Sequence, residues 1–151
     1  MRRREISKDF LLGMAGVVVI VGLGMLLQSV ADVAGLPTKP PYEDLPVDSL
    51  RVLAILAIGV APMMEEVVFR GLIQTTLYRY FTPWKAICLT AVIFACCHFS
   101  YGNLLVAQVY VLMMGILLGI LRHRSGSVYP GVLAHTLNNT LVMAGLLAER
   151  G

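Results

Sequence analysis

Ionisable side chains occur inside long apolar stretches of this sequence, where each is energetically expensive. Titratable residues within membrane-spanning segments are rare, and they usually mark a functional site. They fall in three separate stretches and comprise Glu65, Glu66, Arg70, His98 and His135, with Asn138 and Asn139 as polar neighbours. Acids, imidazoles and amides together can activate a water molecule, bind a metal ion or relay protons.

The spacing of these residues assigns them to helix faces. Glu66 and Arg70 are four positions apart, with the acid first, which is the better order for an ion pair on one helical face. His135 and Asn139 have the same spacing. Glu65 is rotated by about 100° from Glu66, so the two carboxylates are not expected to serve the same partner. We therefore predict that Glu66 pairs with Arg70 and that Glu65 faces a cavity.

The apolar stretches have the length of membrane-spanning helices, which need about 20 mostly apolar residues. Five segments qualify or nearly qualify: residues 10–30, 50–76, 86–99, 104–121 and 128–147. Arg2, Arg3 and Arg4 precede the first segment, as in a signal peptide. Its apolar run exceeds the roughly 7–15 residues of a signal core, so we interpret it as an uncleaved anchor.

The composition supports a membrane protein. Of 151 residues, 58% are hydrophobic and 14% charged, whereas soluble domains are about half apolar and a quarter charged. A soluble domain of this length has no interior large enough for so much apolar surface. A disordered chain, a disulfide-stapled scaffold and a nucleic-acid-binding protein are likewise excluded. Cys88, Cys96 and Cys97 are expected to be small buried hydrophobic residues. We predict an all-α, polytopic transmembrane helix bundle with about five spans.

Basic residues set the orientation, because cytoplasmic ends carry an excess of lysine and arginine. They cluster before the first span and on alternate connections: Arg2, Arg3, Arg4, Lys8, Arg79, Lys85, Arg122 and Arg124. The connection at residues 31–49 is acidic instead. We predict a cytoplasmic N-terminus, an external C-terminus and a non-helical, proline-rich external loop at residues 36–46. His123, between two arginines, is expected to be a loop residue that faces lipid headgroups.

Helical rise of about 1.5 Å per residue places Glu65, His98, His135 and Asn139 at similar depths, in the middle to inner part of the membrane. This agreement among three spans predicts one polar site within the membrane. Asn138 is expected to hydrogen-bond between helices, and the G-x-x-x-G pattern at residues 115–119 predicts a close helix contact.

Three motifs in these spans resemble those of a known family. Residues 65–71 read E-E-V-V-F-R-G and resemble the E-E-x-x-x-R motif of the CAAX protease and bacteriocin-processing family, also called CPBP or Abi. Phe94 and His98 resemble its F-x-x-x-H motif, and His135 and Asn139 its H-x-x-x-N/D motif. The motifs follow the family's order, and the resemblance covers about residues 50–147.

The resemblance implies an activity and roles for the motif residues. Members of the family are multi-pass intramembrane endopeptidases; eukaryotic members remove the C-terminal tripeptide of prenylated CAAX proteins, and prokaryotic members include bacteriocin immunity and maturation proteins. By this resemblance, Glu65 and His98 would activate a water molecule, and His135 and Asn139 would stabilise the oxyanion. The supporting residues would be Glu66, Arg70 and Phe94.

Chemistry leaves two versions of such a protease open. No serine or cysteine is placed convincingly against a histidine, so water is the expected nucleophile, and a carboxylate in an apolar cavity is the better base near neutral pH. Alternatively, Glu65, His98 and His135 would bind a catalytic zinc ion, for which two histidines and one glutamate suffice. The family has been labelled a metalloprotease, although H-E-x-x-H is absent here. We favour the version without a cofactor and keep a divalent metal as the alternative.

Non-enzymatic functions also stay open: a bacteriocin immunity or binding protein, and a proton-relay transporter, which would usually show inverted repeats. We expect residues 1–49 to form an anchor helix and external loop, and residues 50–151 to form the protease core. The expected partners are the bilayer and a membrane-associated protein or peptide substrate, with or without a lipid modification. The expected location is a prokaryotic plasma membrane. Well-studied family members carry more than five spans, so a partner or self-association would be one way to complete the cavity.

Overall fold

The structure, a computed structural model, describes residues 6–36, 42, 45–98 and 105–150. These residues form helices and connections, with no strand among them, which confirms the all-α prediction. We number the helices α1 (Ile6–Ala34), α2 (Val47–Leu77), α3 (Pro83–Cys97), α4 (Leu105–Ser125) and α5 (Tyr129–Ala148).

Four of these helices, α1, α2, α4 and α5, are long and apolar enough to cross a membrane. The predicted third span is shorter than the others, because α3 has 15 residues and therefore rises only about 22 Å. The bundle is thus polytopic, with one helix that ends short of a full crossing at His98, the residue that follows α3.

Helix α2 is not uniformly α-helical. It contains two π-helical stretches, Leu56–Val60 and Glu66–Ile73, separated by a short α-helical segment that includes Pro62. Proline lacks the N–H that an α-helical turn requires. Such π-helical stretches are uncommon and are frequent at functional sites. The second stretch begins at Glu66, so the unusual backbone coincides with the acidic motif.

The helices pack around a core where α1 contacts α4 and α5, and α3 contacts α4. The core residues are Ile20, Phe69, Phe94, Met114, Leu118, Leu121 and Ala134. The predicted close contact of the G-x-x-x-G pattern is present: a Cβ on Gly115 would lie 3.2 Å from the Cα of Ala91, and one on Gly119 would lie 2.9 Å from Ile87. These two glycines therefore let α4 approach α3 closely.

Two sequence predictions about individual side chains are wrong. The cysteines are exposed on the outside of the bundle rather than buried, because α3 turns other residues, such as Phe94, toward the core. His123 belongs to α4 rather than to a loop, and its Nδ1 lies 3.4 Å from the hydroxyl of Tyr78, the residue that follows α2. Most of the predicted proline-rich loop, together with Arg2, Arg3 and Arg4, lies outside the described residues.

Candidate active site

A buried ion pair supports one side of the site. The Arg70 guanidinium lies 2.9 Å from the Glu66 carboxylate, both side chains are fully buried, and the pair is the one predicted from the spacing. Arg70 also donates a hydrogen bond of 3.1 Å to the carbonyl of Gly115. Its guanidinium lies 4.4 Å from the centre of the Phe94 ring, a cation–π distance. Three helices therefore hold the charge of Arg70 in place.

Gln74 extends this arrangement by one helical turn, and sequence reasoning missed it. Its side-chain amide donates to the carbonyl of Gly119 at 3.0 Å, just as Arg70 donates to Gly115. Both donors are four residues apart on α2, and both acceptors are four residues apart on α4. In the sequence, the only sign of this arrangement is that Arg70 and Gln74 have the same four-residue spacing as Gly115 and Gly119.

Glu65 projects from α2 in a different direction from Glu66 and faces the two histidines. Its Oε2 lies 3.6 Å from Nε2 of His98 and 3.8 Å from Nε2 of His135. The side chain of Glu65 is 24% exposed, that of His98 16% and that of His135 3%. Solvent therefore has only limited access to these three side chains. The predicted carboxylate and both predicted imidazoles are therefore brought together.

His98 is oriented by the helix end on which it sits. It caps the C-terminus of α3, and its Nδ1 lies 2.8 Å from the carbonyl of Phe94. Only a protonated Nδ1 can donate to a carbonyl, so in the neutral ring Nε2 is the proton acceptor. The F-x-x-x-H spacing thus has a physical basis, because Phe94 fixes the tautomer of His98 through its backbone and stacks on it, with ring centres 4.3 Å apart.

His135 contacts both carboxylates, and this corrects a sequence prediction. Its Nδ1 lies 3.3 Å from Oε1 of Glu66, while its Nε2 lies 3.8 Å from Oε2 of Glu65. The rotation of about 100° between adjacent helical residues does point the two acids in different directions. An imidazole carries nitrogens on two edges of its ring, however, so one histidine placed between the acids reaches both.

Asn139 is held by a chain of hydrogen bonds. Its amide nitrogen donates to the carbonyl of Ala57 at 2.9 Å, in the first π-helical stretch of α2. Its amide oxygen accepts from Asn138 at 3.4 Å, and the oxygen of Asn138 accepts from the hydroxyl of Tyr110 at 2.7 Å. Asn138 therefore forms the expected hydrogen bond between helices, which joins α5 to Tyr110 on α4. Tyr110 was not anticipated, because nothing in its sequence position reveals its partner.

These polar groups form one end of a cavity of about 770 Å³, which is lined mainly by residues of α1, α2, α4 and α5. The polar residues at that end are Glu65, His98, Tyr110, His135, Asn138 and Asn139. Most of the remaining lining is apolar, for example Leu53, Val111 and Val142. The four residues predicted to be catalytic, Glu65, His98, His135 and Asn139, thus line a single space that can also receive apolar side chains.

The zinc alternative requires Glu65, His98 and His135 to bind one metal ion together. In the part of the chain that the structure describes, no three His, Cys, Asp or Glu side chains are arranged to hold a metal ion. The steps proposed below use Glu65, His98 and His135 without a metal.

Comparison with known proteins places these features in a family. The family model described as type II CAAX prenyl endopeptidase Rce1-like matches residues 48–141. An Escherichia coli protein, named as an uncharacterized 24.3 kDa protein, is 32% identical over 145 residues, covering 91% of this chain. The chain spans 64% of the length of that relative. No solved structure matches the chain. The matched segment contains all three motifs, and the chain belongs to the Rce1-like family of type II CAAX prenyl endopeptidases, a family of proteases.

Proposed function

We propose that the chain is an intramembrane endopeptidase that uses an activated water molecule to hydrolyse a peptide bond in a membrane-associated protein or peptide. One observation carries the proposal: the Glu65 carboxylate and Nε2 of both His98 and His135 converge within 3.8 Å. They do so at the polar end of an apolar cavity. Family membership supports the same activity.

Activation of water falls to Glu65 and His98. Both present proton acceptors toward the same point, because Nδ1 of His98 is engaged by the Phe94 carbonyl and leaves Nε2 with its lone pair. A water molecule bound on the cavity side of these two atoms would donate one hydrogen bond to each, which directs its oxygen lone pair at a substrate carbonyl. The proton that Glu65 accepts is then given to the leaving amine, with His98 positioning the water or passing the proton on, as general acid–base catalysis requires.

Stabilisation of the oxyanion falls to His135 and Asn139. Nδ1 of His135 faces Glu66, so a proton on Nε2 would point to the side of the ring where Glu65 and the cavity lie. Asn139 has two amide hydrogens, and the bond to Ala57 uses one of them.

Glu66, Arg70 and Phe94 hold these groups in place rather than reacting. Glu66 contacts His135 and Arg70 through the same oxygen, Oε1. Gly131 leaves the room that the other oxygen of Glu66 occupies, since a Cβ there would lie 2.6 Å from Oε2. A rigid support of this kind matters because displacement of catalytic groups by about 1 Å can cost a hundredfold in rate.

The apolar lining favours substrates with apolar residues beside the cleaved bond, and it has room for part of a lipid modification. We place the protein in a plasma membrane of prokaryotic type, supported by four apolar helices of spanning length and by the E. coli relative. Self-association or a partner protein would extend the substrate-binding surface of this short bundle.

The activity is tested by incubating purified protein in proteoliposomes with a library of apolar peptides, and by measuring proton flux across the same vesicles. We expect peptide cleavage without proton flux. The inactive Glu65→Gln variant is expected to retain substrate, so peptides that co-purify with it, and not with a Glu149→Gln control at the exposed end of α5, identify the substrate. Proton flux without cleavage would contradict the proposal.

A further inference from the structure

The first π-helical stretch of α2 leaves one backbone carbonyl without its α-helical partner. A carbonyl in an α-helix accepts a hydrogen bond from the N–H four residues later, and for Ala57 that N–H belongs to Ala61. The N–H of Ala61 bonds instead to the carbonyl of Leu56, five residues earlier. The side-chain amide of Asn139 donates to the Ala57 carbonyl at 2.9 Å. A side chain from α5 therefore supplies the hydrogen bond that the π-helical backbone gives up.

The second π-helical stretch shows the same arrangement with α4. The N–H of Gln74 bonds to the carbonyl of Phe69, five residues earlier, and is thereby withdrawn from the carbonyl of Arg70. That carbonyl accepts from Nε of Arg122 at 3.3 Å and from the hydroxyl of Thr75 at 3.1 Å. A second nitrogen of Arg122 donates to the Thr75 hydroxyl at 3.3 Å. A side chain from a neighbouring helix again supplies the bond that the π-helical backbone gives up.

Arg122 completes a row of polar contacts that holds α2 against α4. Arg70 and Gln74 donate to carbonyls of α4 that lie 45 residues later in the chain, those of Gly115 and Gly119. The constant offset shows that the two helices run in the same direction and keep one register over this stretch. The bond from Arg122 runs the opposite way, from a side chain of α4 to the backbone of α2. It therefore fixes the backbone of the second π-helical stretch as well as its side chains.

The two π-helical stretches lie on either side of Glu65. An α-helix has about 3.6 residues per turn, so one residue more or fewer in a turn rotates the side chains before it by about 100° relative to those after it. The direction in which Glu65 projects therefore depends on both stretches keeping their π-helical form. A rotation of this size would carry its carboxylate away from His98 and His135, from which it lies 3.6 and 3.8 Å.

We propose that Arg122 is a positioning residue for the proposed protease. By holding the Arg70 carbonyl, Arg122 keeps the second stretch π-helical and so keeps Glu65 directed at the two histidines. Arg122 itself lies outside the cavity lining, so it acts on catalysis through the backbone of α2 and not through contact with the substrate. Its effect on catalysis rests on the proposed function, whereas its effect on the positions of Glu65 and the histidines does not.

The kinetic test compares Arg122→Met, which keeps much of the length of the side chain but has no donor, with Arg122→Lys, which keeps a cationic donor. Arg79→Met is the matched control, because Arg79 is exposed on the connection after α2. We expect Arg122→Met to lower kcat for peptide cleavage in proteoliposomes by about tenfold to a hundredfold with KM unchanged, the size of effect that a displacement of about 1 Å can produce. Arg122→Lys should recover part of the loss, and Arg79→Met should match the wild type. An unchanged kcat in Arg122→Met, or an equal fall in Arg79→Met, overturns the proposal.

A second measurement needs no turnover. The chain has three histidines, so the ring signals of ¹⁵N-labelled histidine can be assigned by replacing each histidine in turn. We expect the signals of His98 and His135 to shift in Arg122→Met and to stay in place in Arg79→Met. Unshifted signals in folded Arg122→Met overturn the proposal, even if the variant is less stable than the wild type. Shifted signals in a protein that cleaves no peptide contradict only the proposed function.

Thr75→Val keeps the proposal testable if Arg122→Met does not fold. Valine has nearly the shape of threonine but lacks the hydroxyl that donates to the Arg70 carbonyl. We expect Thr75→Val to shift the same two histidine signals. In the double variant Thr75→Val/Arg122→Lys, the changes in kcat should not be additive, because both side chains act on one carbonyl. Additive changes, or unshifted histidine signals in Thr75→Val, refute the role assigned to that carbonyl.

Discussion

Replacement of Arg70 by alanine tests whether the buried ion pair supports the site structurally. Arg70 is fully buried, lies 2.9 Å from Glu66, donates to the Gly115 carbonyl and faces the Phe94 ring. Arg70→Ala removes all three interactions and leaves a carboxylate buried without its cation. Breaking a buried pair in this way typically costs about 3–5 kcal/mol, so we expect a loss of this size in the free energy of unfolding.

The assay is reversible unfolding of the purified protein in mixed detergent micelles, followed by circular dichroism. Arg79→Ala is the matched control, because Arg79 is exposed on the connection after α2 and surface substitutions usually change stability by about 0.5 kcal/mol or less. The double variant Glu66→Gln/Arg70→Met should recover part of the loss, since it removes both charges together. If Arg70→Ala unfolds like the wild type but no longer cleaves substrate, then Arg70 takes part in the chemistry and the structural interpretation is refuted.

Three further predictions concern the groups around the acids. Gly131→Ala should lower stability by about 1–3 kcal/mol, the usual cost of overpacking, because the new Cβ would lie 2.6 Å from Glu66 Oε2; unchanged unfolding would refute the close approach. Asn139→Ala should lower kcat by about 10²–10³ with little change in substrate affinity, as for other oxyanion donors. If Asn139 acts only through its bond to Ala57, kcat would stay the same and stability would fall by about 0.6 kcal/mol. Tyr110→Phe should lower kcat by about fivefold with KM unchanged, since it removes a hydrogen bond worth about 1 kcal/mol that orients Asn138 and, through it, Asn139; an equal effect on both constants would contradict a positioning role.

Local spacing accounts for what the sequence could predict at this site. The Glu66–Arg70 pair follows from helical geometry alone, since residues four apart on a helix are neighbours whatever else surrounds them. The contact of Gly115 and Gly119 with α3 follows equally from the small size of glycine. Both features are properties of one helix surface and need no knowledge of how the helices are arranged.

Features that depend on the arrangement of helices could not be predicted. The double contact of His135 requires α5 to place its ring between two acids of α2. The partners of Gln74 and Tyr110 lie on other helices, and hydropathy does not give rotation about a helix axis. The same lack of rotational information explains why the cysteines of α3 were wrongly expected to be buried. The π-helical turns of α2 also depend on packing beyond the local sequence.

The central claim is that Glu65 acts as the base that activates water. Its most direct test is the single-turnover rate of peptide cleavage by Glu65→Gln in proteoliposomes, measured beside the wild type and Glu149→Gln at saturating substrate. Glutamine keeps the size of the side chain but does not accept a proton, so we predict a rate at least about 10²-fold below wild type, with unchanged stability and with Glu149→Gln fully active. Cleavage by Glu65→Gln at a rate close to that of the wild type would contradict the account.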